Sequence, residues 1–164
     1  MFQSHILSAL YSTELFVDTD QAGNRITRRS HTCILLFACC APIIWYSKRQ
    51  NTVETSTFRS EFIAAKTATE MIQALQYKLF MMGIPIDGPT NMFCDNKAVV
   101  RNSTMPESTL KKKHVAICYH HVQEACALGM IQIAKEDGAT NLADMLTKSL
   151  PGPRLRDLIG RILY

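Results

Sequence analysis

The chain has 164 residues, of which 47% are hydrophobic and 20% charged, values that exclude a disordered tail, a collagen-like repeat and a polar linker. At this length one domain buries on the order of 70% of the surface its unfolded chain exposes, so a core forms without disulfides or a structural metal. Eighteen Lys and Arg against fourteen Asp and Glu leave a net +4, which permits an anionic partner without demanding one. The longest uncharged apolar run, residues 33–46, is broken by Pro42 and too short to span a membrane. No Lys or Arg precedes Glu14 to start an export signal. Cys33, Cys39, Cys40, Cys94, Cys118 and Cys126 lie mostly in apolar runs, without C-x-x-C or a zinc-like Cys/His spacing. They read as buried, reduced thiols, which fits a cytoplasmic or nuclear protein.

Residues 1–15 read as a leader of unassigned role, and residues 16–164 as the domain. The apolar stretch 14–18 (ELFVD) predicts a first strand, and Gly23-Asn24 a turn after it. Residues 32–38 and 43–47 are rich in β-branched and aromatic side chains, and the short link between them predicts an antiparallel pair. Trp45 and Tyr46 alternate on that strand, so only one of them faces the core. From Phe58 the period changes: Phe58, Phe62, Ala65, Ile72, Leu75, Leu79 and Met82 recur at three- and four-residue steps. This predicts a long helix, capped by Thr55, Ser56 or Thr57 and stopped by Gly83. A strand over 90–94 and a short helix over 97–101 follow. Val115, Cys118, Val122 and Cys126 then mark a second long helix stopped by Gly129. Residues 130–135 form a fifth strand, and 140–147 and 154–163 two terminal helices parted by Pro151-Gly152-Pro153.

Three strands followed by alternating helices and strands predict an α/β fold. Its sheet is mixed and five-stranded, three antiparallel strands and then two parallel ones, with helices on both faces. Four acids acquire a shared meaning in that order. Asp18 ends the first strand, Glu61 lies in the first turn of the long helix, Asp95 follows the fourth strand, and Asp144 sits near the start of a terminal helix. Carboxylates converging in one cleft repel each other unless a cation neutralises them, and hard oxygen ligands suit Mg²⁺ or Mn²⁺.

The segments FVDTDQAGN (16–24), TRRSHT (27–32), IIWYSKRQNTVETST (43–57), SEFIA (60–64), FCDN (93–96), Lys113-His114 and NLADMLTK (141–148) resemble, in joint order, the ribonuclease H domain of copia-type (Pseudoviridae) LTR retrotransposon polyproteins. The resemblance runs from about Phe16 to Leu163. It implies a ribonuclease H-like fold with Asp18, Glu61, Asp95 and Asp144 as catalytic, metal-holding carboxylates. It also implies two divalent ions, Mg²⁺ or Mn²⁺, and hydrolysis of the RNA strand of an RNA–DNA hybrid. Asp18 is expected to bridge the ions and Asp20, on the same strand face, to support it.

Arg28, Arg29 and the run Lys111, Lys112 and Lys113 are the candidate phosphate contacts, and Asn96 is a candidate substrate contact for which a simple helix cap is the better single reading. His114, His120 and His121 read as solvated or half-buried. The partners implied are the hybrid and, where attached, the reverse transcriptase domain of a parent polyprotein; none is a membrane, and the place is a retroelement particle in cytoplasm or nucleus. The alternative function is a catalytically inactive remnant that still folds and binds nucleic acid.

Overall fold

The computed structural model describes residues 12–24, 26–86, 88–105 and 116–163. Five strands, β1 (Thr13–Asp20), β2 (His31–Ala38), β3 (Ala41–Arg49), β4 (Thr90–Cys94) and β5 (Ile131–Lys135), form one sheet in the order β3-β2-β1-β4-β5. The β1–β2 and β2–β3 pairs are antiparallel, and β1–β4 and β4–β5 are parallel. This is the expected mixed sheet. β1 is longer than predicted at both ends: the sheet takes in residues 13–15, and Asp18 lies two residues inside the strand. Residues 1–11 of the expected leader fall outside the described residues.

β2 sits between β1 and β3 with helices on both faces, which explains why HTCILLFA is buried almost throughout. β3, at the edge, alternates instead. Trp45 is 72% exposed while Tyr46 packs against the core, so the alternation argument decides that pair correctly. Only two residues, Cys39 and Cys40, join the β2–β3 hairpin, and Cys39 takes a left-handed φ of 57°.

The first helix, α1 (Thr57–Met81), carries the chain from β3 to β4 and packs on β1 and β2. Its buried face is lined by Ala64, Ala65 and Ala68, small enough to bring the helix close to the sheet, and by Phe62 and Ile72. Ser56 is the N-cap residue, yet its hydroxyl makes no capping bond. Gly83, at φ 72°, ends the helix: Gly83 N–H donates to Phe80 O and Ile84 N–H to Leu79 O. Gly129, at φ 69°, ends α3 (Ala116–Ala127) in the same way, with bonds to Cys126 O and Ala125 O. Between them α2 (Lys97–Thr104) extends the predicted short helix by three residues. The core stripe of α3 is Tyr119, Val122 and Ala125, whereas Cys118 and Cys126, predicted to be central, are half-buried. Tyr119 explains the shift, because its ring fills the space against Phe62 at a centroid distance of 5.8 Å. Of the six cysteines, all free, only Cys33 and Cys94 are buried; Cys40 is exposed.

The core therefore has two parts. One lies between the sheet residues Leu15, Val17, Ile34, Leu36, Met92 and Ile133 and the helices α1, α2 and α3. The other, on the opposite face, joins Leu35, Phe37 and a stacked Phe16–Phe93 pair to Leu142, Met145 and Leu158. These last residues flank or belong to α4 (Asp144–Thr147) and α5 (Gly152–Leu163). The predicted helix over 140–147 is thus cut to one turn. Thr140, Asp144, Met145 and Leu146 N–H groups bond to carbonyls three residues back, which winds the approach as turns. Among the described residues no helix is long and apolar enough to cross a membrane.

Candidate active site

The parallel register of β1 and β4 sets Val17 beside Cys94, so Asp18 and Asp95 leave that pair at the same end of the sheet. Residue parity then separates neighbours: Leu15 and Val17 enter the α1 side of the core, while Phe16 packs on the α5 side. Asp18 shares the parity of Phe16 and meets α4, where Thr147 Oγ1 donates to its Oδ2 at 2.5 Å. Thr19, of opposite parity, faces Glu61. Glu61 is the fifth residue of α1, in its second turn rather than its first. Its burial is therefore set by the sheet below it and not by the helix N-terminus.

Asp18, Glu61 and Asp144 are buried, at 1%, 3% and 2% exposure, and Asp95 is half-buried. Burial pushes the Glu61 carboxyl up to about 8; the Thr19 hydroxyl opposes the rise, and Asp95 and Asp18 add to it. Asp18 is also raised, first by burial, against the pull of Thr147 and Lys148 and with the help of Asp144. These mutual effects tie all four predicted carboxylates into one electrostatic cluster. Three of the ligand-type atoms, from Glu61, Cys94 and Asp95, lie within 4.8 Å of one another. Burial and the Glu61 charge push the Cys94 thiol up, so it stays protonated and is a poor ligand for a hard ion. That leaves the carboxylate oxygens of Glu61 and Asp95, hard donors of the kind that suits Mg²⁺ or Mn²⁺; Asp18 is linked to them electrostatically but is not one of the three.

Sequence reasoning missed the cations. Lys148 Nζ lies 2.7 Å from Asp144 Oδ1 and 3.4 Å from Asp18 Oδ2. Arg154 Nη2 lies 2.6 Å from Asp144 Oδ2 and donates to Gly138 O at 2.6 Å. The i,i+4 spacing of Asp144 and Lys148 was a readable signal for the first; nothing local announces the second. Asn141, fully buried, also escaped notice: its Nδ2 donates to Val17 O at 3.0 Å and its Oδ1 accepts from Ala143 N at 3.0 Å. It thereby pins the turn before Asp144 to the strand that carries Asp18.

Among the nucleic-acid candidates, Arg28 and Arg29 sit in the loop that follows Asp20, Arg28 exposed with φ 55° and Arg29 half-buried. Thr57 Oγ1 donates to Gln21 Oε1 and ties this loop to the start of α1. The Asp20 carboxylate packs over Gly23 in the same loop, so tightly that a Cβ at Gly23 would meet its Oδ2. Asn96 is the N-cap of α2, its Oδ1 accepting from Ala98 N at 2.9 Å and Val99 N at 3.3 Å. Lys111, Lys112, Lys113 and His114 lie outside the described residues. His120 is exposed and His121 half-buried, both on α3 and away from the acids in sequence and element.

No protein-family model matches the chain. It is 30% identical over 150 residues, 88% of its length, to the retrovirus-related Pol polyprotein from transposon TNT 1-94 of Nicotiana tabacum. It is 26% identical over 151 residues, 92% of its length, to that from transposon RE1 of Arabidopsis thaliana. The matches cover 11% and 10% of those polyproteins, so the chain spans about a tenth of their length. In fold it resembles LC11-RNase H1, from compost, solved in complex with an RNA/DNA hybrid. The TM-score is 0.64 at 14% identity, covering 82% of this chain and 93% of that one. It also resembles part of the foamy viral protease-reverse transcriptase in complex with an RNA/DNA hybrid, with TM-score 0.59 at 15% identity over 85% of this chain and 20% of that one. By sequence the chain is a homologue of part of the retrovirus-related Pol polyproteins of plant transposons, and its fold is that of ribonuclease H domains, the pairing expected of the ribonuclease H domain of a copia-type polyprotein.

Proposed function

We propose that the chain is a metal-dependent endonuclease that hydrolyses the RNA strand of RNA–DNA hybrids. The observation that carries this reading is geometric: Asp18 on β1 and Asp95 just after β4 leave the sheet at one end, Asp95 and Glu61 of α1 bring ligand-type atoms within 4.8 Å of each other, and one lysine, Lys148, reaches both Asp18 and Asp144 of α4. Such a cluster is costly to desolvate, and a site for divalent cations is the chemistry that offsets the cost. Two ions, Mg²⁺ or Mn²⁺, would be held by Asp18, Glu61, Asp95 and Asp144 in the working state. Bound there, they supply activation of a water and stabilisation of the leaving 3′-oxygen in an in-line displacement.

The residues around the cluster orient it. Thr147 and Lys148 fix Asp18, Arg154 fixes Asp144, and Asn141 holds the turn in register with β1. Asp20, closed over Gly23, shapes the loop that presents Arg28 and Arg29 to a phosphate backbone. The likeness to proteins solved with RNA/DNA hybrid supports the substrate class. The likeness to part of a viral protease-reverse transcriptase, beside the Pol polyprotein relatives, supports a reverse transcriptase domain as partner; a retroelement particle of the cytoplasm or nucleus is the place we propose for it.

A second reading, a catalytically inactive protein that binds nucleic acid, is favoured by the pairing of both Asp144 oxygens with Lys148 and Arg154. Cleavage of an end-labelled RNA–DNA hybrid in Mg²⁺ or Mn²⁺, abolished by EDTA, is the result expected of the nuclease. Binding without cleavage in either metal overturns the nuclease reading and leaves the second.

A further inference from the structure

The acid cluster carries its own cations on one side only. Both carboxylate oxygens of Asp144 are committed, Oδ1 to Lys148 and Oδ2 to Arg154. The same ammonium reaches Asp18 Oδ2, so one cation contacts an oxygen of each acid. An ion shared between Asp18 and Asp144 would need the place that Lys148 Nζ holds. Glu61 and Asp95 form no ion pair among the described residues, and Lys148 acts on Glu61 only as the weakest of the influences on it.

The two basic residues are not equivalent. Arg154 is tied to the fold through Gly138 O as well as Asp144. Lys148 is a point charge on a flexible four-carbon stem, and its side chain is 42% exposed. It can leave for solvent without breaking a contact to the backbone.

We propose that the Lys148 ammonium is the resident second cation of this centre. Before substrate arrives the protein takes a single divalent ion, on Asp18, Glu61 and Asp95, and a second enters only by displacing Lys148. This inference rests on the acid cluster being the metal site of the proposed nuclease.

A titration of the full, substrate-free chain with Mn²⁺, following the resonance signal of the free ion, counts the ions bound. One per wild-type chain and two per Lys148→Met chain are expected, because Met keeps the side-chain length and removes the charge. Asp95→Asn should weaken the single wild-type ion at least about tenfold, placing it on the Glu61–Asp95 side. Melting in EDTA checks that each variant folds, and Lys148→Gln takes the place of Lys148→Met should the latter not fold. Two ions on the wild type overturn the inference. So does a single ion on the Lys148 variant, even one bound more tightly, for then the lysine only lowers the local field. No ion on any chain overturns the metal-dependent reading itself.

Discussion

Asp144 and Glu61 are both buried carboxylates, at 2% and 3% exposure, yet their surroundings could hardly differ more. Asp144 meets an ammonium and a guanidinium directly; Glu61 meets a threonine hydroxyl, a thiol and the charges of Asp95 and Asp18, with Lys148 acting on it only weakly and without an ion-pair contact. Removing a carboxylate from water is costly, and the fold meets the cost in two ways. Cations of the chain neutralise the α4 side. The α1 side carries a raised Glu61, which holds its proton up to about pH 8. A cluster of one residue type thus divides into a half paired with cations of the chain and a half without an ion pair, and Asp18 touches both.

That shared position makes Asp18→Asn the change of largest expected effect. Hybrid cleavage should fall at least about 100-fold, equivalent to about 2.7 kcal/mol of barrier, while hybrid affinity stays within about twofold. Retained cleavage at a normal rate would break the assignment of Asp18 as the residue joining the halves.

Glu61 gives the comparison a pH dependence. Its folded-state carboxyl is raised above the ordinary value of 4.5 to about 8, so folding favours the protonated form. The corresponding stability is fully present below about pH 4.5 and is lost as pH rises through about 8. Metal-free protein should therefore melt progressively lower across that window, and Glu61→Gln should flatten the slope. At pH 8 the variant should be the more stable by on the order of a few kcal/mol in EDTA and should lose metal-induced stabilisation. Parallel melting curves for the two proteins across pH 5–8 would show that the α1 half carries no such penalty.

The two halves were also unequally legible in the sequence. The elements that carry Glu61 and Asp95 announce themselves by local or periodic signals: the apolar steps of α1, the Gly83 stop, the short apolar run of β4 and the residue that follows it. Even there the turn was misjudged, because no side-chain cap fixes the helix start and the boundary floats by a few residues. The α4 half depends on contacts between distant segments. Asn141 reaches a carbonyl 124 residues away, and Arg154 is delivered by a helix that docks through Leu158. Helical propensity over 140–147 carries no trace of either, so it read as a full helix where the fold permits one turn. Cys33 is a similar case: beside Asp18 in the antiparallel register, its thiol donates to Leu146 O at 3.0 Å and helps seat α4.

Asn141→Ala tests that long-range seating. It leaves Val17 O and Ala143 N without their partner in a buried place, which should cost about 2 kcal/mol of stability. Because the turn before Asp144 loses its anchor, cleavage should fall further than hybrid binding. A variant that melts with the wild type would mean that Lys148 and Arg154 alone hold the α4 half in place.

The smallest effect belongs to Asn96, beside Asp95, where a cap and a substrate contact make opposite demands. As a cap, the Asn96 side-chain oxygen satisfies two N–H groups at the start of α2. Asp performs that role equally well, so Asn96→Asp should be neutral in stability, whereas Asn96→Ala should cost about 1 kcal/mol. A substrate contact behaves in the other way. An added negative charge next to Asp95 would repel the phosphate backbone, so Asn96→Asp should weaken hybrid binding several-fold more than Asn96→Ala, most of all at low salt, and flatten its dependence on salt as screening relieves the repulsion. Melting temperature and hybrid affinity measured on both variants separate the roles. A stable Asp variant with unchanged affinity assigns Asn96 to the fold alone. A stable Asp variant whose binding is weakened at low salt and recovers towards the wild type as salt is raised makes Asn96 a substrate contact as well as a cap.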